Sequence, residues 1–203
     1  MRIRSLGEEV SLGYHVQRRD ESVAYCVMEL YNLWYTFSRS LYLSSAFRAK
    51  QSTGSRVVID TSLSVTSYTD ALTVAIHAIK PNLASRAGPW SWFDEPAWDT
   101  PKVLLSALDA LGASNYAQVS AALSLRTRTS IPSHFKKFRN FYGHRSEDAR
   151  LDIRGTLSSY SIPWQLHASE CLMRPATSRG NTRPQVLLLD FIDDVGNVMS
   201  LMI

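Results

Sequence analysis

Pro132-Ser133-His134-Phe135-Lys136-Lys137-Phe138-Arg139-Asn140-Phe141-Tyr142-Gly143-His144 is the stretch on which the reading of this chain turns. Phe135, Phe138 and Phe141 recur at the spacing that gathers side chains on one side of an α-helix, so Phe135, Phe138 and Phe141 or Tyr142 are expected to face a core. Ser130 offers an N-cap and Pro132 a tolerated first-turn residue. Arg139 is then left nearer an edge. Gly143 is expected to kink or end the helix, which would let His144 swing toward Arg139, and Ser146 to cap a further run through Ala149, Ile153 and Leu157.

Within about one and a half turns the same stretch collects a permanent cation, an amide and a titratable imidazole. A guanidinium grips phosphate oxygens through a planar fork of donors. An imidazole moves protons near neutral pH, and an amide can fix either partner by donating and accepting at once. A loose pattern of Arg, four to six residues, then His is met by chance about once in a chain of this composition, and Arg128 with His134 also satisfies it. Requiring Asn after the Arg and three residues before the His lowers the expectation to about 0.01, so only the strict form, Arg139-Asn140-Phe141-Tyr142-Gly143-His144, carries weight.

In that strict form, Arg-Asn-x-x-x-His, the segment resembles the signature of the HEPN superfamily, helical domains many of which are metal-independent ribonucleases. The resemblance implies a mainly α fold, an antiparallel four-helix bundle with the motif in or beside a late helix. It also implies a homodimer in which two motifs line one cleft. His144 would be the proton-transfer group, Arg139 the stabiliser of a phosphorane-like transition state, and Asn140 the residue that orients His144 or the scissile phosphate. RNA brings its own nucleophile, the 2′-hydroxyl, so neither metal nor cofactor is expected. The family also suggests a toxin or antiviral-defence effector restrained by an antitoxin or nucleotidyltransferase-like partner protein.

Charge supports a polyanionic partner at this place. From Arg126 to Arg154 there are eight Lys or Arg against three acids, an excess of +5 in a chain whose net charge is +4. Lys136, Lys137 and Arg145 are therefore expected to position an RNA backbone through sequence-independent, salt-sensitive attraction. Asp148 and Asp152 offer local partners to Arg150 and Arg154, the alternative in which the run is simply a solvated helix face.

With 203 residues, 45% hydrophobic and 20% charged, the chain is expected to be one ordered globular domain rather than a disordered one. The start lacks the apolar stretch of a secretory signal, and no segment is long and apolar enough to cross a bilayer. Two cysteines, Cys26 and Cys171, give neither a disulfide framework nor metal-ligand spacing. A cytoplasmic protein with no membrane association is expected.

Working outward, a long helix is expected from Asp20 to about Lys50, with Val23, Val27, Leu30, Trp34, Phe37 and Leu41 as its stripe and Tyr25, Tyr31, Tyr35 and Tyr42 broadening it. Residues 57–60 and 62–66 read as short strands. Ser67 or Thr69 caps a helix that Pro81 ends, with His77 on it as a structural imidazole. Residues 81–100, holding three of the five tryptophans, read as an insertion that packs back or meets a partner. Thr100-Pro101 begins a helix ending at Gly112, and Ser114 or Asn115 another. Beyond Ser158 the helical signal fades, with 162–164 and 174–184 reading as loops, and 185–203 reads as a terminal hairpin turning at Gly196-Asn197, with Asp190, Asp193 and Asp194 as turn residues.

The expected fold is thus a mainly α HEPN-type bundle, with small β additions near 56–66 and 185–203. Residues 1–203 make one domain, its core at about 20–160 and an appendage at about 161–203. The expected activity is metal-independent cleavage of RNA. The alternative is a non-catalytic helical interaction or RNA-binding module acting as a regulatory or scaffold subunit.

Overall fold

Ser67 shows how directly local chemistry sets the helices. Its Oγ accepts from Asp70 N at 3.2 Å while Asp70 Oδ2 accepts from Ser67 N at 2.8 Å, a capping box that starts a helix over Tyr68–Ile79. The computed structural model describes residues 2–13, 18–124, 131–163, 165–176 and 185–203. Its α-helices are α1 (Arg2–Ser11), α2 (Arg19–Ala46), α3 (Tyr68–Ile79), α4 (Pro101–Ala110), α5 (Tyr116–Ser124), α6 (Ile131–His144), α7 (Glu147–Ser158), α8 (Ala168–Leu172) and α9 (Leu187–Leu201). The one ladder among the described residues joins β1 (Pro175–Ala176) to β2 (Gln185–Val186), antiparallel. The protein is mainly helical, and no helix among the described residues is long and apolar enough to cross a membrane.

The chain divides into two compact units, Met1–Trp34 with Arg126–Val198, and Tyr35–Leu125 with Met199–Ile203. The first contains the candidate motif. Its core is built from Val23, Cys26, Val27, Leu30 and Trp34 of α2, Phe135 and Phe138 of α6, Ile153 and Leu157 of α7, and Leu188, Phe191 and Val195 of α9. The Phe138 and Phe191 rings meet edge to face at 6.1 Å between centroids. A Cβ on Gly7 of α1 would stand 3.0 Å from both Leu189 and Ile192, so the missing side chain lets α1 approach α9 closely.

Two strand expectations are corrected by the backbone. Residues 185–203 form β2 and the helix α9 rather than a hairpin. Leu187, Leu188, Phe191, Ile192, Val195 and Val198 are all buried at helical spacing, and an apolar run of this length serves a buried helix as well as a strand. Gly196-Asn197 lies inside the helix, and Asp193 takes Arg4 and Gln185 as partners instead of closing a turn. Residues 57–66 join no ladder: Arg56 makes one isolated antiparallel bridge, to Lys50, Val57 N donates to Ala49 O (3.0 Å), and a turn at Thr61 and Ser62 interrupts the run. Val57 and Ile59 are buried and Val58 is exposed, the alternation of a strand, yet Asp60 N donates to Leu111 O (2.9 Å) and Ser114 N to Val58 O (2.8 Å). The α4–α5 connection thus takes the bonds that a ladder would make. Gly112 in that connection has φ 58°, a left-handed conformation that glycine adopts without a Cβ clash.

In the second unit α3 packs on α4 and α4 on α5. Trp98, fully buried, stacks obliquely on Tyr42, and its indole N–H donates to Glu95 (3.2 Å), which also holds Arg39 through two bonds of 2.6 and 2.8 Å. Trp90 donates to Thr73 at 2.7 Å and meets His77 edge-on. The Trp-rich segment therefore packs back through two of its three indoles. Trp92, stacked on Phe93 at 3.7 Å, is left 74% exposed.

Candidate functional site

α6 is amphipathic in the sense its phenylalanines announce. Phe135 and Phe138 are fully buried, and Tyr142, half-buried, shares a 2.9 Å hydrogen bond with Ser169, its phenol pushed well above the ordinary value mainly by burial. On the opposite side Lys136, Asn140 and His144 follow one another at a spacing of four, each about 40° round from the last, with Lys137 beside them. Lys136, Lys137 and Asn140 are half-buried and His144 is exposed.

Arg139 lies on the flank between that strip and the core. Its guanidinium carbon sits 4.7 Å above the ring of Tyr31 on α2, and Nη1 donates to Asn140 Oδ1 at 3.1 Å. Nε is buried and has no hydrogen-bond partner. No carboxylate among the described residues pairs with Arg139. The cation is thus held by an aromatic face and a neutral amide, which position it without neutralising it.

Gly143 does not end the helix: α6 continues through it to His144, and a Cβ there would meet nothing within 4 Å. The break comes one residue after the motif. Arg145 has φ 49° and donates its N–H to Phe141 O at 2.8 Å, the closing bond of a left-handed helix cap normally given to glycine. Ser146 then caps α7, its Oγ accepting from Ala149 N at 3.2 Å. An unbroken helix turns about 140° and rises about 7.5 Å over the five residues from Arg139 to His144. Arg139 and Asn140 are brought together, and Asn140 and His144 share a strip. Arg139 and His144 point to different sides.

His134 belongs to the fold. Its Nδ1 lies 2.8 Å from Tyr160 Oη, and burial, with Lys137 adding to it, lowers its pKa to about 4. Arg128, its companion in the loose pattern, and the Ser130 cap lie outside the described residues. Arg150 is taken up by Glu147 through bonds of 2.8 and 2.7 Å, so part of the basic run is locally paired. Among the described residues no group of three or more His, Cys, Asp or Glu could hold a metal ion.

Sequence reasoning missed two residues of this site. Tyr31 appears in sequence as one of several tyrosines broadening α2, and nothing in its spacing marks it as the seat of Arg139. His167 sits beyond Ser158, where the helical signal of the sequence fades. It caps α8, its Nδ1 accepting from Ser169 N (3.4 Å) while Glu170 returns a bond to the His167 N–H (3.2 Å), and its ring stands edge-on to Phe141 at 6.0 Å. Histidine in a capping box lies outside the usual Ser/Thr/Asp/Asn signature, which hid the helix. Comparison with protein-family models, curated proteins and solved structures finds no match to the chain.

Proposed function

We propose that this chain is a metal-independent endoribonuclease of HEPN type, with α6 part of an antiparallel four-helix bundle and Arg139, Asn140 and His144 as its catalytic residues. The observation that carries the reading is the state of Arg139. A half-buried guanidinium fastened to Tyr31 and Asn140, with no described carboxylate to balance it, is prepared for an anion from outside.

In the reaction the ribose 2′-oxygen attacks the adjacent phosphorus, its proton passes to a base, and the bond to the 5′-oxygen breaks as that oxygen takes up a proton. The products are a 2′,3′-cyclic phosphate and a 5′-hydroxyl. His144, exposed at the end of α6, serves as base or acid. Arg139 stabilises the extra negative charge on the phosphorane. Asn140 spends its Oδ1 on Arg139, leaving its amide donors for the phosphate. Lys136, Lys137 and Arg145 position the RNA backbone.

Because the unbroken helix sends Arg139 and His144 to different sides, one protomer does not present both groups to one phosphate. A homodimer answers this by bringing His144 of one copy to Arg139 of the other. The resemblance further suggests a cytoplasmic toxin or antiviral-defence effector restrained by an antitoxin or nucleotidyltransferase-like protein. The test is cleavage of single-stranded RNA in EDTA, with the all-deoxy analogue uncut for want of a nucleophile. His144→Ala should lose about 10² to 10⁴ in rate, whereas His134→Gln should still cleave. A folded His144→Ala variant that cleaves like the parent refutes the assignment.

A second reading, a non-catalytic interaction module, is favoured by the Trp92–Phe93 stack, since two large aromatic side chains at 74% and 71% exposure suit a partner surface. An inactive parent protein whose partner binding depends on Trp92 would establish it instead.

A further inference from the structure

Beside the motif helix is a cavity of about 320 Å³, bounded by the aromatic edges of Phe141 and His167 and by Ile153 and Leu157 of α7, with Gln165 at its rim. Phe141 follows Asn140 directly and lies three residues, about 60° of helix, before His144 on one side of α6. A molecule in the cavity would therefore sit next to any phosphate that His144 serves.

The walls state what kind of molecule that is. They are largely apolar and aromatic, as a flat ring requires, and no acidic side chain is among the described residues that line the cavity, the nearest carboxylate to His167 being Asp20 at 3.9 Å from its Nδ1. The Cys171 thiol, turned toward the carbonyl oxygens of Pro163 and Leu166 (3.7 Å each), is pushed up to about 11 chiefly by burial and stays neutral. Polar groups for reading a ring edge come from two side chains. His167 Nδ1 is occupied by the Ser169 N–H (3.4 Å) and lies 3.9 Å from Asp20 Oδ2, which leaves Nε2 as the ring nitrogen to meet a ring edge. The Gln165 amide, hydrogen-bonded to no described residue, donates and accepts. Arg150 also borders the cavity but is held by Glu147, so it is not assigned a phosphate.

We propose that this cavity binds a nucleobase of the RNA, the one adjoining the scissile phosphate, and gives the enzyme its base preference. The assignment rests on the ribonuclease reading for its place in the reaction, though base binding can be measured without cleavage. The four nucleoside 3′-monophosphates and ribose 5-phosphate, which lacks a base, are titrated into the full chain carrying His144→Ala and followed by saturation-transfer and His167 imidazole NMR signals. At least one nucleotide should bind at least tenfold tighter than ribose 5-phosphate, with saturation transferred to its base protons. Gln165→Leu, at an exposed position and close in volume, should weaken the preferred nucleotide about three- to tenfold, the loss of one hydrogen bond. Ala168→Leu, with folding checked by circular dichroism, should reduce binding by filling the cavity. Equal binding of all five ligands, or a preference unmoved by Gln165→Leu, overturns the proposal. RNA cleavage that needs His144 but shows no base preference would also overturn it while leaving the ribonuclease reading intact. Base-selective binding in a protein that cleaves no RNA would keep the cavity and remove the ribonuclease.

Discussion

Replacing Arg139 by Met tests whether this arginine serves the fold or the chemistry, since the two roles give different stabilities. The substitution keeps length and most of the volume and removes the charge. It forfeits the contact over Tyr31, worth about 0.5–2 kcal/mol at such sites, and the charge-assisted bond to Asn140, about 1.5–3 kcal/mol. Against that, the buried and unpartnered Nε disappears, which returns about 1–3 kcal/mol, and the thioether regains about 0.3–1.5 kcal/mol on the tyrosine ring. The sum leaves Arg139→Met within about 1 kcal/mol of the parent. Urea unfolding of the full chain, read as a shift in midpoint at constant slope, measures it. Had Arg139 held a carboxylate, the variant would strand a charge and cost about 3–5 kcal/mol. RNA cleavage should nevertheless fall about 10²- to 10³-fold, the loss of a preorganised charge stabiliser. Destabilisation by about 3 kcal/mol or more, or cleavage at the parental rate, would refute a role for Arg139 in the chemistry rather than the fold.

Gly143→Ala should stabilise the protein by about 0.4–1 kcal/mol, because the position is helical and open around its Cβ; destabilisation in urea would mean that the helix bends there after all. His134, with a folded pKa of about 4 against an ordinary 6.5, binds fewer protons folded than unfolded between those pH values, so stability is full above 6.5 and is lost as pH falls toward 4. His134→Gln should flatten this dependence in thermal unfolding followed across that range, and an unchanged slope would place the acid sensitivity elsewhere. Neutralising Lys136 and Lys137 together should lower the dependence of log RNA affinity on log salt by about 1.4 for single-stranded RNA, and an unmoved slope would send the RNA to another surface.

What was legible in the sequence is what local chemistry fixes. Ser67, one of the two caps the residues offer for α3, Pro101 in the first turn of α4 and the Ser146 cap each act within a few residues and begin a helix there. The core face of α6 is equally legible, since Phe135 and Phe138 are committed to burial whatever they meet. The end of the chain was not, because Leu187, Leu188 and Leu189 satisfy a buried helix or strand alike and only the neighbours of α9 decide. Residues 57–60 have the alternation of a strand, but their bonds go to Ala49 and to the turn beyond α4, which no periodicity reveals. At the site the three residue types were legible and their relation was not. The sequence shows a glycine where the helix could break, whereas the backbone puts the break at Arg145 and carries His144 round the axis, away from Arg139.

That continuity makes a test of how the two groups meet. If each active centre takes Arg139 from one copy and His144 from the other, the Arg139→Ala and His144→Ala variants are each dead in both centres as homodimers. Unfolded together and refolded, half of the dimers by random pairing carry one variant of each kind. In such a mixed dimer one centre lacks both groups and the other has both intact. Cleavage should return to about one quarter of the parental rate per chain, since half the dimers regain one centre of two. A centre built from one chain gains nothing by mixing, because every chain still lacks one group. Size-exclusion chromatography with light scattering establishes the dimer beforehand, and a tagged copy of one variant confirms exchange. Exchange without recovered cleavage would mean that Arg139 and His144 of one chain meet despite the helix between them, or that they do not act together at all.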